Sequence, residues 1–309
     1  MRLLSDTHID FIGKRRFALG LSILLILVSF ASLVARGLNW GLDFTGGVLI
    51  EVAYDRAVEL DEVRTTLAEA GYADAVVQNF GTSSDVLIRL PPVEAEEEGA
   101  ELSNEVGAVL RAADPSVQLR RNEFVGPQVG EDLAEQGSLA MLFAMIMIFA
   151  YVMLRFRWKF AVGAIVAIVH DVIITVGLFS IFQFPFDLTV LAAVLAVIGY
   201  SLNDTVVIYD RIRENFRAIR RGTTAEIVNV SLNQTLSRTV VTALTTLLVL
   251  FALLFLAGET LFGFSMALIV GVLIGTYSSV YVSGAALVYL NVAPSDLVPV
   301  RREEIDEMP

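Results

Sequence analysis

The chain contains no cysteine and only two histidines, His8 and His170, among its 309 residues. The lack of cysteine excludes a disulfide framework, cysteine-ligated zinc and thiol chemistry, and two histidines supply a histidine-based metal site poorly. The nucleotide-binding pattern G-x-x-x-x-G-K-[ST] is also absent, so the sequence offers no anchor for an ATP-driven mechanism. These absences predict a protein that is not an enzyme and that carries no metal or organic cofactor.

Apolar residues are abundant: they make up 55% of the chain, and the mean hydropathy is +0.67. This excess indicates an integral membrane protein. An α-helix needs about 20 residues to cross a hydrocarbon core of about 30 Å. Six apolar windows reach that length, namely 17–34, 138–154, 160–181, 188–209, 239–257 and 264–289. The first window is too long for the apolar core of a secretory signal, so we predict an uncleaved first transmembrane helix at 17–35.

Lysine and arginine are concentrated in alternate connections, which predicts the orientation of the six helices. The basic residues of the N-terminus, of the second-to-third and fourth-to-fifth links and of the tail are Arg2, Lys14, Arg15, Arg16, Arg155, Arg157, Lys159, Arg211, Arg213, Arg217, Arg220, Arg221, Arg238, Arg301 and Arg302. The intervening connections, 182–187 and 258–263, contain no basic residue. We therefore predict a cytoplasmic N-terminus (1–16), helices 2–6 over 138–290 with a cytoplasmic basic loop at 210–238, and a cytoplasmic tail (291–309).

Residues 36–137 are predicted to form an extracytoplasmic domain between helices 1 and 2. They hold about 20 acidic and 7 basic residues, which accounts for the net charge of −12 and disfavours binding to nucleic acid. Apolar spacing predicts two helices, between Leu60 and Ala70 and between Leu102 and Ala113. It also predicts four strands, at 48–54, 76–80, 86–90 and 117–125, with a turn at 81–85. This βαββαβ order predicts a small α+β, ferredoxin-like domain, a fold that implies no activity by itself.

Two glycine-rich corners bracket this domain. The first, GLDFTGG, supplies Gly41, Asp43, Thr45, Gly46 and Gly47, and the second, VGPQVG, supplies Gly126 and Pro127. Glycine permits positive φ and close backbone approach, while Asp and Thr cap turns or helix ends. Because no lysine and no helix follow, the pattern favours a hinge-like strand entry over a phosphate-binding loop. Because the two corners bracket the domain, we hypothesise that the domain moves as a rigid body relative to the membrane helices.

The fourth window carries the adjacent polar residues Asn203 and Asp204. A carboxylate costs about 2.5–3.5 kcal/mol or more in hydrocarbon. Burial favours the proton-bound acid and a nearby arginine favours the ionised form. We therefore predict a proton pathway formed by Asp204, the adjacent Asn203 and Arg238, which lies at the cytoplasmic start of the fifth window. Two other interpretations stay open. In the first, Arg238 is only a snorkelling anchor at the membrane surface. In the second, Asp204 is held in a static ion pair or in a hydrogen bond that packs two helices together.

Further polar residues are predicted to support this acid. Tyr200 and Ser201 lie on the same flank of the fourth window as Asp204. His170 and Asp171 form a second polar island in the third window, where the imidazole either titrates near neutral pH or makes an interhelical hydrogen bond.

Small polar residues in the last two windows suggest packing or hydration. Thr242, Thr245 and Thr246 either line a hydrated path or bond to their own helix. In the last window, small residues spaced by four predict close helix packing; they are Gly263, Ala267, Gly271, Gly275, Ser279 and Ser283.

Five stretches together resemble the SecF family, the smaller subunits of SecD–SecF protein-export complexes, which are similar to half of an RND-type proton-coupled transporter. In chain order they are NWGLDFTGG, EFVGPQVG, HDVIITVG, IGYSLNDTVVIYDRIRENFR and NQTLSRTVVTALTT. The resemblance covers nearly the whole chain. It implies that Asp204 is the proton-pathway acid, that Arg238 faces it, and that GLDFTGG is the signature turn.

The same resemblance implies a multi-pass subunit of the cell inner membrane that uses protons as coupling ion to promote the export of preproteins. Its implied partners are SecD, the SecYEG channel, preproteins and membrane lipids, with YajC as a further candidate. Two alternative functions stay open: half of an RND-type exporter for lipids or small molecules, and a structural channel subunit that conducts no protons.

Overall fold

Six long helices and a small α/β unit account for most of the chain in a computed structural model, which describes residues 7–93, 95–219, 221–258 and 261–293. In chain order the elements are α1 (Arg15–Arg36), β1 (Asn39–Trp40), α2 (Leu42–Thr45), β2 (Gly47–Ala53), α3 (Leu60–Glu69), β3 (Val76–Phe80), β4 (Thr82–Leu90), α4 (Glu96–Ala113), β5 (Gln118–Val125), α5 (Pro127–Arg155), α6 (Trp158–Phe182), β6 (Pro185–Phe186), α7 (Leu188–Ala218), α8 (Thr224–Leu256) and α9 (Phe262–Tyr289). The charges predicted at Arg2, Arg220, Arg301 and Arg302, and the tail beyond residue 293, lie outside the described residues.

Each of the six apolar windows corresponds to one long helix, and all six helices are long and apolar enough to cross a membrane. The prediction of a multi-pass, mainly helical membrane protein is confirmed. Two of the helices, α5 and α8, begin well before their windows because their first turns are polar. α5 starts at Pro127, whose missing N–H costs nothing in a first turn. α8 starts behind a capping box formed by Thr223 and Glu226.

Helix α9 is the centre of the bundle, since it packs against α1, α6, α7 and α8. Its small residues meet the side chains of α7, as their spacing predicts. A Cβ atom added at Gly263 would lie 2.8 Å from Val190, and one added at Gly275 would lie 3.2 Å from Ser201. One added at Gly271 would overlap Val197. Glycine thus allows the two helices to approach closely, most clearly at Gly271.

Gly271→Ala is expected to destabilise the protein by about 1–3 kcal/mol, because the added methyl group overlaps the stiff, β-branched side chain of Val197. Gly199→Ala on α7 is the matched control, because no side chain beyond its chain neighbours and no other helix of the described chain lies within 4 Å of its Cβ position. That change should be neutral or stabilise by up to about 1 kcal/mol through helix propensity. Thermal unfolding of the full chain in detergent measures both; equal midpoints would contradict the packing argument.

The predicted βαββαβ order is present in the sheet unit, residues 47–125. Its strands form one antiparallel sheet in the order β3-β4-β2-β5. Helices α3 and α4 cover one face, where Val63, Leu67, Val106 and Leu110 pack on the strands. The turn predicted at 81–85 is too long, because β4 already begins at Thr82. Gly81, with φ of 75°, makes the turn tight enough for Phe80 to pair with Thr82.

Candidate functional site

Asp204 lies inside the bundle on α7, with 2% of its surface exposed. Its Oδ2 atom is enclosed and has no hydrogen-bond partner in the part of the chain that the structure describes. The hydroxyl of the next residue, Thr205, is likewise buried and unbonded within those ranges. A buried carboxylate is costly as an anion when neither a cation nor a hydrogen bond compensates it. This arrangement therefore suits an acid that holds a proton.

Arg238 lies on α8, which packs against α7 as predicted. The Arg238 side chain is exposed, and among the described residues it forms no ion pair with Asp204 at 4.0 Å or less. The structure thus brings the predicted pair to neighbouring helices without joining them.

The other residues predicted around Asp204 are not gathered at its carboxylate. Asn203 is exposed, whereas Asp204, the next residue of α7, is buried. The Tyr200 hydroxyl is enclosed without a hydrogen bond in the described ranges. Thr242 donates to the Arg238 and Thr239 carbonyls at 3.0 Å. Thr245 and Thr246 also bond to carbonyls of α8, so the self-bonding alternative is the one observed for these threonines.

His170 and Asp171 form a second buried polar site of the bundle, with 3% and 1% exposure. His170 Nδ1 lies 2.8 Å from Asp171 Oδ1, and its Nε2 lies 3.1 Å from Ser22 Oγ of α1. Asp171 Oδ2 accepts from Ser201 of α7 at 2.6 Å and from Ser278 of α9 at 2.7 Å. The predicted interhelical hydrogen bond is present, and Ser201 serves this site rather than Asp204.

Three participants in this network escape prediction from the sequence. Ser22 lies in α1. Tyr277, whose hydroxyl is 3.1 Å from Ser22 Oγ, and Ser278 lie in α9, so all three are far along the chain from Asp171. Their one sequence signal is a hydroxyl in a membrane window, which is equally typical of a serine or threonine bonded to its own helix. Three-dimensional packing of α1, α6 and α9 is needed to bring them together.

The first glycine corner contacts the beginning of the helix that carries Asp204. The Asp43 carboxylate accepts a hydrogen bond from the backbone N–H of Leu188, the first residue of α7, at 2.8 Å. Asp187, the N-cap residue, accepts from the N–H of Val190 at 2.8 Å. Such carboxylates stabilise a helix N-terminus by about 1 kcal/mol each. Asp43 is therefore a helix cap, as predicted, but of α7 rather than of its own turn.

The two glycine corners pack on each other. Gly46 and Gly47 have positive φ values of 66° and 122°, which let the backbone turn from the end of α2 into β2. The Cβ position of Gly46 lies 3.0 Å from the Cα atom of Pro127, and that of Gly130 lies 2.9 Å from the Gly46 nitrogen. Thr45 Oγ1 bonds to the Gly41 and Gly46 carbonyls, and Gly126 is the N-cap residue of α5. The corner is thus a packed joint; its movement stays a prediction.

A cleft of about 490 Å³ lies between the helix-free face of the sheet and the adjoining helix ends. Its charged lining comprises Arg89, Arg121, Glu123, Asp43 and Asp187. Burial lowers the pKa of the Arg89 guanidinium from its ordinary value, although an arginine stays charged at physiological pH. Within the described ranges, no group of three or more His, Asp or Glu side chains is placed to hold a metal ion.

Two family models match the chain. "Protein export membrane protein SecD/SecF, C-terminal" matches residues 105–293, and "SecD/SecF GG Motif" matches residues 31–58. The protein translocase subunit SecF of Pseudomonas aeruginosa is 51% identical over 97% of this chain and 98% of its own length. The SecF subunit of Escherichia coli O157:H7 is 45% identical over 96% and 92%.

Solved structures of SecDF are also similar. The crystal structure of SecDF, a translocon-associated membrane protein from Thermus thermophilus, is 39% identical with a TM-score of 0.85. A structure of SecDF in a super-membrane-facing form, also 39% identical, has a TM-score of 0.69. Each comparison covers 93% of this chain, which spans 39% of the solved SecDF chain.

Proposed function

Because the chain belongs to the SecF family of protein translocase subunits, we propose that it couples proton movement to protein export through Asp204. It acts in the cell inner membrane as the smaller partner of a SecD protein, alongside the SecYEG channel, with YajC as a further candidate partner. Preproteins are the cargo, and protons are the coupling ion.

The observation that carries this proposal is the burial of Asp204 without a bonded counter-charge. Ionisable residues within a membrane bundle mark ion and proton pathways by default. In the present arrangement the acid suits a bound proton. Loss of that proton creates a buried anion, which is stabilised if water enters or if Arg238 of α8 approaches. Proton release thus favours a different arrangement of α7 and α8.

The outer end of α7 transmits this rearrangement. Asp43 of the glycine corner is bonded to the first N–H of α7, so a shift of the helix acts directly on the joint where the sheet unit begins. One elementary charge moved through 100 mV releases about 2.3 kcal/mol, whereas one helix-cap bond contributes about 1 kcal/mol. A single proton therefore carries enough free energy to break or re-form that contact.

We propose further that residues 36–137 form a ferredoxin-like domain on the extracytoplasmic side, with both termini in the cytoplasm. The strand order β3-β4-β2-β5 with both helices on one face is the arrangement expected of a split βαβ fold. The basic connections support the orientation, since they lie at the opposite ends of the helices from the acidic domain. Residues 41–47 and 126–127 act as the joint between domain and bundle.

The proposal is tested with vesicles that contain the Sec channel, the SecD partner and this chain. Export of a model preprotein should be stimulated by an imposed proton gradient, and an ionophore or omission of this chain should remove that stimulation. A gradient effect that persists without the chain would contradict the proposal. Failure of the chain to co-purify with channel and SecD subunits would instead favour a half-exporter.

A further inference from the structure

A continuous chain of polar contacts crosses the bundle through His170. At one end, the Tyr277 hydroxyl of α9 donates to the Ala18 carbonyl of α1 at 2.6 Å. The same phenol oxygen lies 3.1 Å from Ser22 Oγ, which in turn lies 3.1 Å from His170 Nε2. Each hydroxyl owns one proton, so the number of protons in this chain of contacts can be counted.

Counting begins at the Ala18 carbonyl, which can only accept. Tyr277 must therefore donate its single hydroxyl proton to that carbonyl, and this contact is the shortest of the three. The contact between Tyr277 and Ser22 then contains a proton only if Ser22 donates it. Ser22 has no second proton for His170, so the remaining contact is satisfied only if His170 Nε2 carries a hydrogen and donates it to Ser22.

At the other end, Ser201 and Ser278 donate to the Oδ2 atom of Asp171. The 2.8 Å contact between His170 Nδ1 and Asp171 Oδ1 then needs one further proton. It resides either on the nitrogen, giving an imidazolium and a carboxylate, or on the oxygen, giving two neutral groups. Both forms contain the same number of protons and the same net charge of zero.

We propose that His170 and Asp171 form a second proton-binding site, which holds one proton between Nδ1 and Oδ1 in addition to the hydrogen on Nε2. Tyr277 of α9 stacks on the imidazole at 6.1 Å, and α7 brings Tyr200 and Asp204 within one turn of Ser201. Within the described ranges, Asp171 forms its sole ion-pair contact with His170. This proton count rests on geometry alone, while its use in export rests on the proposed function.

Loss of the shared proton would leave Nδ1 and Oδ1 as two acceptors facing each other, which is unfavourable in a buried site. One of the two side chains must then turn away, and the links from α6 to α1, α7 or α9 weaken. Ser201 lies three residues before Asp204 on the same helix. The structure thus assigns two proton sites to α7 and its neighbours. The polar atoms of His170 and Asp171 are hydrogen-bonded, whereas Asp204 Oδ2 has no hydrogen-bond partner in the described chain.

The test is ¹⁵N NMR of the full chain in lipid nanodiscs with labelled histidine, in the His8→Gln background, so that His170 gives the remaining histidine signals. At neutral pH we expect Nε2 to carry a directly bonded hydrogen. We also expect a second proton either on Nδ1 or on the Asp171 carboxyl, which ¹³C labelling of aspartate reports; a bare Nδ1 beside an ionised Asp171 would overturn the proposal. A bare Nε2 with a hydrogen on Nδ1 alone would overturn the proposal, because Ser22 would then be the donor. The measurement needs no export activity, so its outcome is independent of the test of function.

Tyr277→Phe tests the counting itself. Without the phenol oxygen, Ser22 is free to donate to His170, and we expect Nε2 to lose its hydrogen. Tyr281→Phe is the matched control: this ring packs against Tyr277 at 5.2 Å, and we expect an unchanged spectrum. Equal spectra for the two variants would refute the proposal. In Asp171→Asn the amide can donate to Nδ1, so we expect a bare Nδ1 in this variant while Nε2 keeps its hydrogen.

Discussion

Asp204→Asn is expected to abolish the gradient-stimulated part of protein export while the subunit still assembles with its partners. Asparagine has nearly the same shape as aspartate but cannot bind and release a proton. Export should therefore fall to the level measured without a proton gradient. Because the change removes a buried group that is unbonded at Oδ2 in the described chain, unfolding free energy should change by about 1 kcal/mol or less.

Asp210→Asn is the matched control, since it makes the same chemical change on the same helix. Asp210 pairs with Arg155 at 2.9 Å, and the side chains of the pair are 36% and 48% exposed. Exposed ion pairs contribute about 0–1 kcal/mol, so this variant should export at the wild-type level. Both variants are compared by preprotein export into vesicles with and without an imposed gradient, after co-purification with the SecD partner has been verified.

The outcome separates the three functions that the sequence leaves open. Full gradient stimulation in Asp204→Asn would eliminate a proton route through this acid and favour a structural subunit. Loss of stimulation in both variants would indicate that any lost carboxylate on α7 disturbs the bundle. Loss in Asp204→Asn alone is the result expected of a proton carrier.

Most of the architecture follows from patterns that local physics imposes. Membrane helices need about 20 apolar residues, so all six are visible in the sequence, although polar first turns hide where α5 and α8 begin. Apolar periodicity likewise reveals the order of strands and helices in the sheet unit. The parallel pair β1–β6 is different, because Asn39–Trp40 and Pro185–Phe186 are too short to show any period.

The candidate site is predictable only in part, for a related reason. Asp204 stands out because a carboxylate in an apolar window is costly. The connections of His170 and Asp171 do not stand out, since Ser22, which contacts His170, and Ser278, which contacts Asp171, come from helices far apart in the chain. The separation of Arg238 from Asp204 is also invisible, because spacing places residues on helices without fixing how their side chains point.

Gly47→Ala is expected to destabilise the joint between bundle and sheet unit by about 3 kcal/mol or more. Gly47 has φ of 122°, and its Cβ position lies 2.5 Å from the Leu90 carbonyl oxygen. A non-glycine residue at such a φ costs about 1–3 kcal/mol. The overlap adds to this cost, because Leu90 pairs with Val48 in the β2–β4 ladder and its carbonyl cannot move without disturbing the sheet.

Gly71→Ala separates backbone strain from overlap. Gly71 also has a positive φ, 99°, but apart from its chain neighbours no atom of the described chain lies within 4 Å of its Cβ position, so its substitution should cost only the strain. Trp40 reports on the joint, since its ring packs against Phe44 and Phe186 at 5.5 and 5.7 Å. In the Trp158→Phe background it is the single tryptophan, and its fluorescence follows unfolding. Equal losses of stability in the two alanine variants would show that the close approach to Leu90 contributes nothing.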